Sequence, residues 1–311
     1  SLSFKGYAGD EVSTLRSIIF NSTATDFTAN IINAKGHLNG NTANSTIKTL
    51  ILKGGVTNPA SIEAAGNNTD FTVMTDGLSK LQTLDLSNYV NASGKTIATV
   101  AATNIDIASI KGSATKDVLS IAYATNTKLK TVDTGTGDDE VTFGGNTTQT
   151  HDITVNLGEG NDTVTTAALT ANKKFQISGG AGNDTFNLGA STTDANASKY
   201  ITITDANRGD KISLGSAGAA TLQKIALNVD GRADLKTAIN DALGSLSSTA
   251  ANTIYAVYYG NDTYLVRDAN SNKALDANDN LVKLAGISNF DLLNANSVTE
   301  GGINYIQITN A

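Results

Sequence analysis

Short segments in which apolar and polar residues alternate recur along the chain, separated by turns rich in Asn, Thr, Gly and Ser. A period of two residues is typical of β-strands that bury one face. In the first part of the chain this pattern predicts strands over Leu15–Phe20, Asn30–Asn33, Ile47–Lys53, Leu81–Leu86, Thr103–Ile107 and Leu129–Asp133.

Several of these segments are variants of one phrase, which continues at residues 153–157, 175–177 and 201–203. This repetition predicts an all-β fold, a right-handed parallel β-solenoid or β-roll that runs from near residue 1 to about residue 215. A separate β-sandwich over residues 1–130 is the alternative, because periodic turns suit both architectures.

Residues 221–311 follow a different pattern, which predicts one helix over Asp230–Leu243 with Asp230 as its N-cap. Further strands are predicted over Thr253–Tyr259, Asp262–Arg267, Leu281–Leu284 and Asn304–Thr309. The Gly260-Asn261 pair predicts a hairpin between the first two of these strands. Together these elements predict a small α+β cap over the open end of the solenoid, where exposed sheet edges would otherwise favour aggregation.

A glycine-rich phrase of the form x-G-x-G-x-D-x-U-x, with U a large apolar residue, occurs three times between Thr134 and Asn187. Its glycines and aspartates are Gly135, Gly137 and Asp139, then Gly158, Gly160 and Asp162, then Gly180, Gly182 and Asp184. The second copy begins 23 residues after the first, and the third begins 22 residues after the second. One solenoid coil of two short strands and two turns fits this spacing, so the three turns are predicted to stack.

These residue types suit a calcium ion, which takes six to eight oxygen ligands at about 2.3–2.6 Å. Glycine tolerates a positive φ and has no Cβ, so a glycine-rich turn can direct several backbone carbonyls at one point. The aspartate supplies the negative charge. Because one turn provides about half of a coordination shell, we expect one ion between residues 135–139 and 158–162 and another between residues 158–162 and 180–184. The opposite turns, 144–152 and 167–174, are longer and lack the phrase, so only one side is expected to bind ions.

The three copies resemble the calcium-binding nonapeptide of repeats-in-toxin proteins, and the third copy matches that motif in full. The phrase over residues 203–214 is similar to the closing coil that follows the last nonapeptide in this family, which implies that Asp205, Asn207 and Asp210 complete the final half-site. The expected organisation is therefore calcium-free coils over residues 1–133, a calcium-binding β-roll over 134–215, and a C-terminal α+β cap with a secretion signal over 216–311.

The cap contains a second candidate site of another kind. Asp268, Asn270, Asn272 and Asp279 place oxygens at positions 1, 3, 5 and 12 of a 12-residue loop, which is EF-hand-like spacing. Lys273 stands where an EF-hand has its turn glycine, an aspartate replaces the final glutamate, and no flanking helices are predicted. An Asx-rich hairpin turn is the alternative.

Composition narrows the partners. The chain has 311 residues, a net charge of −7 and no basic cluster, which argues against nucleic acids and anionic membrane surfaces. It has no cysteine, so disulfide and thiol chemistry are excluded. No apolar run approaches about 18 residues, so no transmembrane segment is predicted.

The sequence does not suggest an enzyme. It contains no HExxH, no GxSxG and no phosphate-binding loop, and its only histidines are His37 and His151. A polysaccharide-active β-helix enzyme is one alternative, because Asp85, Asp106 and Asp133 follow strand phrases and would stack as a carboxylate ladder. Exposed polar positions on a sheet explain these residues as well.

The nonapeptides, the closing phrase and the cap segment over residues 255–288 are together similar to the C-terminal region of type I-secreted Gram-negative proteins. Within these, the cap is more similar to bacterial surface-layer (S-layer) proteins than to the secreted metalloproteases, and the resemblance covers about residues 130–311. It implies export through the type I secretion machinery, folding triggered by extracellular Ca²⁺, and self-association into a lattice on the cell surface.

The chain opens within repeat material, so we expect it to be the C-terminal part of a longer protein. A preceding part is then the expected contact with cell-surface polysaccharide. A second alternative is a calcium-folded secretion module of an adhesin or toxin whose activity lies upstream.

Overall fold

The structure, a computed structural model, describes residues 2–5, 14–19, 25–32, 35–39, 46–56, 70–92, 94–122, 128–144, 147–148, 151–166, 169–170, 173–189, 200–215, 221–288 and 294–310. It is an all-β parallel solenoid with one short helix in these ranges, which confirms the fold class predicted from the alternating pattern. The chain divides into two compact units. The first comprises Ser1–Gly145 with Asn156–Asp162, and the second comprises Asn146–Val155 with Thr163–Ala311.

The first unit is built from two parallel sheets. Its strands are β1 (Leu2–Lys5), β2 (Thr14–Ile19), β3 (Asp26–Ile32), β4 (Lys35–Asn39), β5 (Thr49–Val56), β6 (Phe71–Met74), β7 (Thr83–Asn91), β8 (Thr96–Val100), β9 (Ser109–Lys111), β10 (Asp117–Ala122), β11 (Thr131–Asp133) and β12 (Glu140–Gly144). Odd-numbered strands form one sheet and even-numbered strands the other, each pairing in parallel with the next strand of its own set. The chain therefore alternates between the sheets and advances one coil with each pair of strands, which excludes the β-sandwich alternative for these residues.

Inward-facing apolar residues of successive coils stack on one another in the first unit. Leu50 pairs with Leu84, Leu84 with Ile110, and Ile110 with Val132, and each of the four is at most 1% exposed. Complete burial of such a side chain contributes roughly 1.5–3 kcal/mol. This stacking explains why similar apolar segments recur in the sequence: every coil must place an apolar side chain at the equivalent position in the core.

The second unit combines parallel coils with antiparallel closing strands. Its strands are β13 (Thr147–Thr148), β14 (Ile153–Asn156), β15 (Thr163–Thr166), β16 (Leu169–Thr170), β17 (Phe175–Ser178), β18 (Thr185–Leu188), β19 (Ile201–Ile203), β20 (Lys211–Leu214), β21 (Thr221–Lys224), β22 (Thr253–Tyr259), β23 (Asp262–Arg267), β24 (Asn280–Leu284), β25 (Asn294–Glu300) and β26 (Ile303–Asn310). One sheet continues from β19 to β24, β23, β22 and β21, and the other continues from β20 to β26 and β25. The edges of the coil formed by β19 and β20 are thus paired by cap strands, as expected for a cap that protects a sheet edge.

The helix of the cap, α1 (Leu235–Gly244), begins later than the sequence predicted. Its N-cap is Asp234, whose side chain accepts a hydrogen bond from the backbone N–H of Thr237 at 2.7 Å. Asp230 instead accepts from the backbone N–H of Gly260 at 2.8 Å. The predicted start at Asp230 was wrong because Gly231 has a φ of +84°, which interrupts the helical conformation. Among the described residues, no helix is long and apolar enough to cross a membrane.

The predicted strand over Thr103–Ile107 is also wrong, since these residues form a turn before β9. The buried side chain of Asn104 holds this turn. Its amide donates to the carbonyl oxygens of Thr75 and Leu78 at 3.0 and 2.7 Å, and its carbonyl oxygen accepts from the N–H of Ala101 at 2.9 Å. These side-chain bonds replace the ladder bonds that a strand would have made.

Candidate metal centre

Five equivalent segments of six residues follow strands β9, β11, β14, β17 and β19, over residues 112–117, 134–139, 157–162, 179–184 and 205–210, and the last residue of the first segment, Asp117, also begins β10. Each ends in an aspartate whose side chain is buried, and we refer to these five residues as the turn aspartates: Asp117, Asp139, Asp162, Asp184 and Asp210. Three of them belong to the predicted nonapeptides and Asp210 to the predicted closing coil. An isolated buried charge is strongly unfavourable, so five carboxylates buried at equivalent positions need hydrogen-bond donors or positive charge beside them.

Backbone amides connect the turn aspartates within each unit. In the first unit, the N–H of Asp117 donates to Oδ1 of Asp139 and the N–H of Asp139 donates to Oδ1 of Asp162, both at 2.7 Å. In the second unit, the N–H of Asp184 donates to Oδ1 of Asp210 at 2.9 Å. Each of these acceptor carboxylates therefore reaches back to the turn one coil earlier, and one of its oxygens is satisfied by the protein.

The first two nonapeptide turns stack as the sequence predicted. The N–H of Glu159 donates to the carbonyl oxygen of Gly135 at 3.0 Å, and the N–H of Gly137 donates to the carbonyl oxygen of Glu159 at 2.8 Å. All six glycines of the motif have a positive φ, with values of +97° (Gly135), +126° (Gly137), +102° (Gly158), +141° (Gly160), +90° (Gly180) and +140° (Gly182). The turn conformation itself therefore selects for glycine.

The space between these two turns gives a second reason for glycine. A Cβ added to Gly158 would lie 1.9 Å from the carbonyl oxygen of Gly135, and one added to Gly160 would lie 2.0 Å from that of Gly137. The carbonyl oxygens of the first turn are thus directed at the backbone of the second. Directed backbone carbonyls beside carboxylates are the oxygen ligands that calcium prefers.

The carboxylate of Asp139 provides the most direct test of whether these residues fit a cation. Its Oδ2 atom is buried and accepts no hydrogen bond, while the Thr134 hydroxyl in the same turn donates to the carbonyl oxygen of Leu157 instead. The corresponding Oδ2 atoms of Asp162 and Asp184 are buried as well. A buried acceptor without a donor costs about 1–3 kcal/mol, and more when it is charged. The residues therefore fit a calcium ion, which would use such an oxygen as a ligand.

Burial also raises the pKa values of three turn aspartates, Asp117, Asp139 and Asp210. Loss of hydration raises the pKa of Asp139 to about 8, and the neighbouring carboxylates of Asp117 and Asp162 add to this shift. The same loss of hydration raises the pKa of Asp117 to about 7 and that of Asp210 to about 6. Without a cation, these three carboxyl groups thus bind a proton at a higher pH in the folded chain than in the unfolded chain.

This arrangement predicts an unusual pH dependence for the calcium-free protein. An unfolded aspartate has a pKa of about 3.9, so folding raises the pKa values of Asp117, Asp139 and Asp210. The stabilisation from protonation is complete below the unfolded pKa and is lost as the pH rises through the folded values. In calcium-free buffer we therefore expect a higher Tm at pH 5 than at pH 8, measured by circular dichroism. A Tm that rises over this interval would contradict the prediction.

The predicted closing residues lie together in the second unit. Both oxygens of Asp205 are engaged, since its carboxylate accepts from the Ser178 hydroxyl at 2.5 Å and from the backbone amides of Gly179 and Gly180 at 2.9 and 2.8 Å. The N–H of Asn207 donates to Oδ2 of Asp210 at 2.8 Å. Asp205 thus stabilises the turn of the third nonapeptide directly.

The EF-hand-like residues form the loop between the antiparallel strands β23 and β24. The loop is therefore flanked by strands, as in the alternative prediction of a hairpin turn, and not by the helices of an EF-hand. Asp268 is buried and accepts from the backbone amides of Asn272 and Lys273 at 3.1 and 2.7 Å. Lys273 has a φ of +64°, so it adopts the left-handed conformation that the glycine of an EF-hand supplies.

The remaining oxygens of this loop are engaged within it. Asp279 accepts from the backbone amides of Ala269 and Asp276 at 2.9 and 2.8 Å. The side-chain amides of Asn270 and Asn272 donate to Oδ2 of Asp276 at 2.9 and 2.7 Å. The structure therefore places Asp268, Asn270, Asn272 and Asp279 in one loop, whose conformation is held by hydrogen bonds between its own residues.

The carboxylates of the enzyme alternative do not form one ladder. Asp85 and Asp133 lie in the same column of the odd-numbered sheet, but Lys111 stands between them. Asp106 lies in a turn and forms an ion pair with Lys128 at 2.6 Å. Within the described ranges, no three or more His, Cys, Asp or Glu side chains are grouped so as to hold a metal ion.

Sequence reasoning missed one turn aspartate, Asp117. A signal was present in the sequence, because Asp117 lies 22 residues before Asp139 and is followed two residues later by the apolar residue Leu119. The glycine pattern hid it, since Ser113 and Thr115 occupy the positions of the two motif glycines.

No protein-family model matches the chain, and no curated protein matches it in sequence. The glycine turns and the buried turn aspartates therefore carry the functional argument.

Proposed function

We propose that this chain is a calcium-stabilised segment of an extracellular structural protein that assembles into a surface layer. The observation that carries the calcium part is the pair of stacked glycine turns with a buried, unbonded Oδ2 atom on Asp139. A bound calcium ion would supply positive charge to these carboxylates and accept oxygen ligands from both turns.

Each group of the turn has a separate task. The glycines adopt the positive φ values that direct the carbonyl oxygens, and Val141, Val164 and Phe186, all at most 1% exposed, anchor the strands that follow. The carboxylates of Asp139 and Asp162 supply charge and also hold the preceding turn through its backbone amide. Their mutual repulsion opposes folding when calcium is scarce, so folding is coupled to calcium.

The extracellular and lattice parts of the proposal rest on the resemblance to type I-secreted S-layer proteins. Several features of the chain are compatible with it: the absence of cysteine, the net charge of −7 and the abundance of polar turns. In this proposal the cap carries the export signal, the chain folds outside the cell, and neighbouring molecules associate. An S-layer protein of this kind works as a scaffold and needs no catalytic site.

Static light scattering during a calcium titration tests the lattice proposal. Upon moving from calcium-free buffer to millimolar calcium, we expect the molar mass to rise from that of a monomer, 32.0 kDa, to that of large assemblies, and to fall again with chelator. Magnesium is the matched control, because it demands a stricter octahedral geometry and loses its waters reluctantly. A compact monomer that folds with calcium but never associates would contradict the lattice proposal and favour the secretion-module alternative.

A further inference from the structure

The turn at residues 112–117 has the length and position of a nonapeptide turn but a different conformation. Ser113 and Thr115 replace the two glycines, and neither has a positive φ. The turn therefore has a different backbone conformation from the motif turns, although the carbonyl oxygen of Ser113 still approaches the next turn and would lie 2.7 Å from a Cβ added to Gly135. Its aspartate, Asp117, is nevertheless as deeply buried as the aspartates of the nonapeptides.

The protein itself satisfies the carboxylate of Asp117. The backbone N–H of Ser113 donates to Oδ2 at 2.6 Å, and the hydroxyl of Ser113 lies 3.0 Å from Oδ1. Each oxygen of Asp117 thus has a donor within hydrogen-bond distance, although the one proton of the Ser113 hydroxyl is shared with the carbonyl oxygen of Thr115, which lies 2.9 Å away. The two neighbouring turns differ in this respect: both oxygens of Asp117 have hydrogen-bond partners, whereas Oδ2 of Asp139 is buried without one.

The same turn is fixed on both sides along the solenoid. The hydroxyl of Thr115 accepts from the backbone N–H of Asn91 in the preceding coil at 3.1 Å. On the other side, the N–H of Asp117 donates to Oδ1 of Asp139 at 2.7 Å. The turn thus links a coil that has no nonapeptide to the first coil that has one.

We propose that Ser113 does for Asp117 what a calcium ion does for the later turn aspartates, so that the coils up to β10 fold without calcium and serve as a platform for the calcium-binding coils. Asp117 then presents an ordered backbone amide to Asp139 before any ion is bound. Ion binding begins at the 134–139 turn and orders the coils that follow. This inference rests on the proposed calcium function. It adds the position along the chain at which folding becomes calcium-dependent, and it assigns that position to Ser113.

Conversion of the turn into a nonapeptide tests the role of Ser113. The double variant Ser113→Gly with Thr115→Gly restores both motif glycines in front of Asp117. Native mass spectrometry in calcium is expected to show one more bound ion per chain than in the unaltered protein. The single variant Ser113→Ala is the matched control: it removes the hydroxyl but supplies no glycine, so the ion count is expected to stay the same while the Tm in chelator falls. An unchanged ion count in the double variant would overturn the assignment.

Hydrogen exchange on the unaltered chain tests the platform even if the double variant does not fold. In chelator, amides of residues 96–122 are expected to be protected, while those of residues 151–189 exchange rapidly and gain protection with calcium. If calcium is needed to protect both segments, the platform is wrong and the calcium function stands. If calcium protects neither segment further, the proposed calcium function fails, and the inference fails with it.

Discussion

Replacement of Gly158 by alanine is expected to destabilise the protein by about 2–5 kcal/mol, even in saturating calcium. The left-handed conformation of Gly158, with a φ of +102°, costs an alanine roughly 1–2 kcal/mol. The new Cβ would also lie 1.9 Å from the carbonyl oxygen of Gly135, an atom of the backbone that cannot rotate away. The two turns must therefore separate, and the bond from the Glu159 amide to that oxygen is lost. Denaturant unfolding in calcium measures the effect.

Two other glycines separate the causes of this loss. A Cβ at Gly231 meets no atom within 4 Å but has a φ of +84°, so Gly231→Ala reports the conformational cost alone. Gly144 has open space and no positive φ, so Gly144→Ala is expected to be close to neutral. If Gly158→Ala lowers the free energy of unfolding no more than Gly231→Ala does, the close approach of the two turns does not contribute to the loss of stability.

Local signals were sufficient where the determinants of structure are adjacent in sequence. The cap strands Thr253–Tyr259 and Asp262–Arg267 have the predicted bounds, because the Gly260-Asn261 turn lies directly between two apolar segments. The three nonapeptide turns were likewise predictable, since the positive φ values of their glycines are imposed by the turn itself. The chemistry of the site could be inferred from the same residues, but calcium binding stays a prediction.

The predictions failed where a distant residue decides the local conformation. Residues 103–107 form a turn because the side chain of Asn104 makes hydrogen bonds to the carbonyl oxygens of Thr75 and Leu78, which lie more than twenty residues away in sequence. The strand β25 (Asn294–Glu300) was missed because it is mostly polar and is defined by its pairing with β26. Asp117 was missed for a related reason, since the shared length of the turns becomes visible only once the coils are aligned.

Replacement of Asp162 by asparagine is expected to raise the calcium concentration at the midpoint of folding by about tenfold or more. The asparagine oxygen can still accept the hydrogen bond that Asp139 donates at 2.7 Å, so the turn keeps this local contact. The amide NH2 group then replaces Oδ2, so the site loses both a negative charge and an oxygen ligand. Calcium affinity depends on the number of charged ligands, and a loss of about 1.4 kcal/mol is a tenfold change in affinity. On sequence grounds Asp162 is the ligand common to both predicted ions, so its effect is expected to exceed that of any other turn aspartate. Circular dichroism during a calcium titration measures the midpoint.

Asp279→Asn is the matched control for this variant. Asp279 is also buried and also accepts backbone amides, from Ala269 and Asp276, but it lies in the cap loop between β23 and β24. If the main ions lie at the glycine turns, Asp279→Asn changes the stability of the cap and leaves the calcium midpoint within about twofold of the unaltered protein. Equal shifts for the two variants would place the calcium dependence in the cap loop as much as in the nonapeptides. If the calcium midpoint shifts for Asp279→Asn and not for Asp162→Asn, the glycine turns are not the main calcium site. The central carboxylate of these turns would then contribute nothing to calcium-dependent folding.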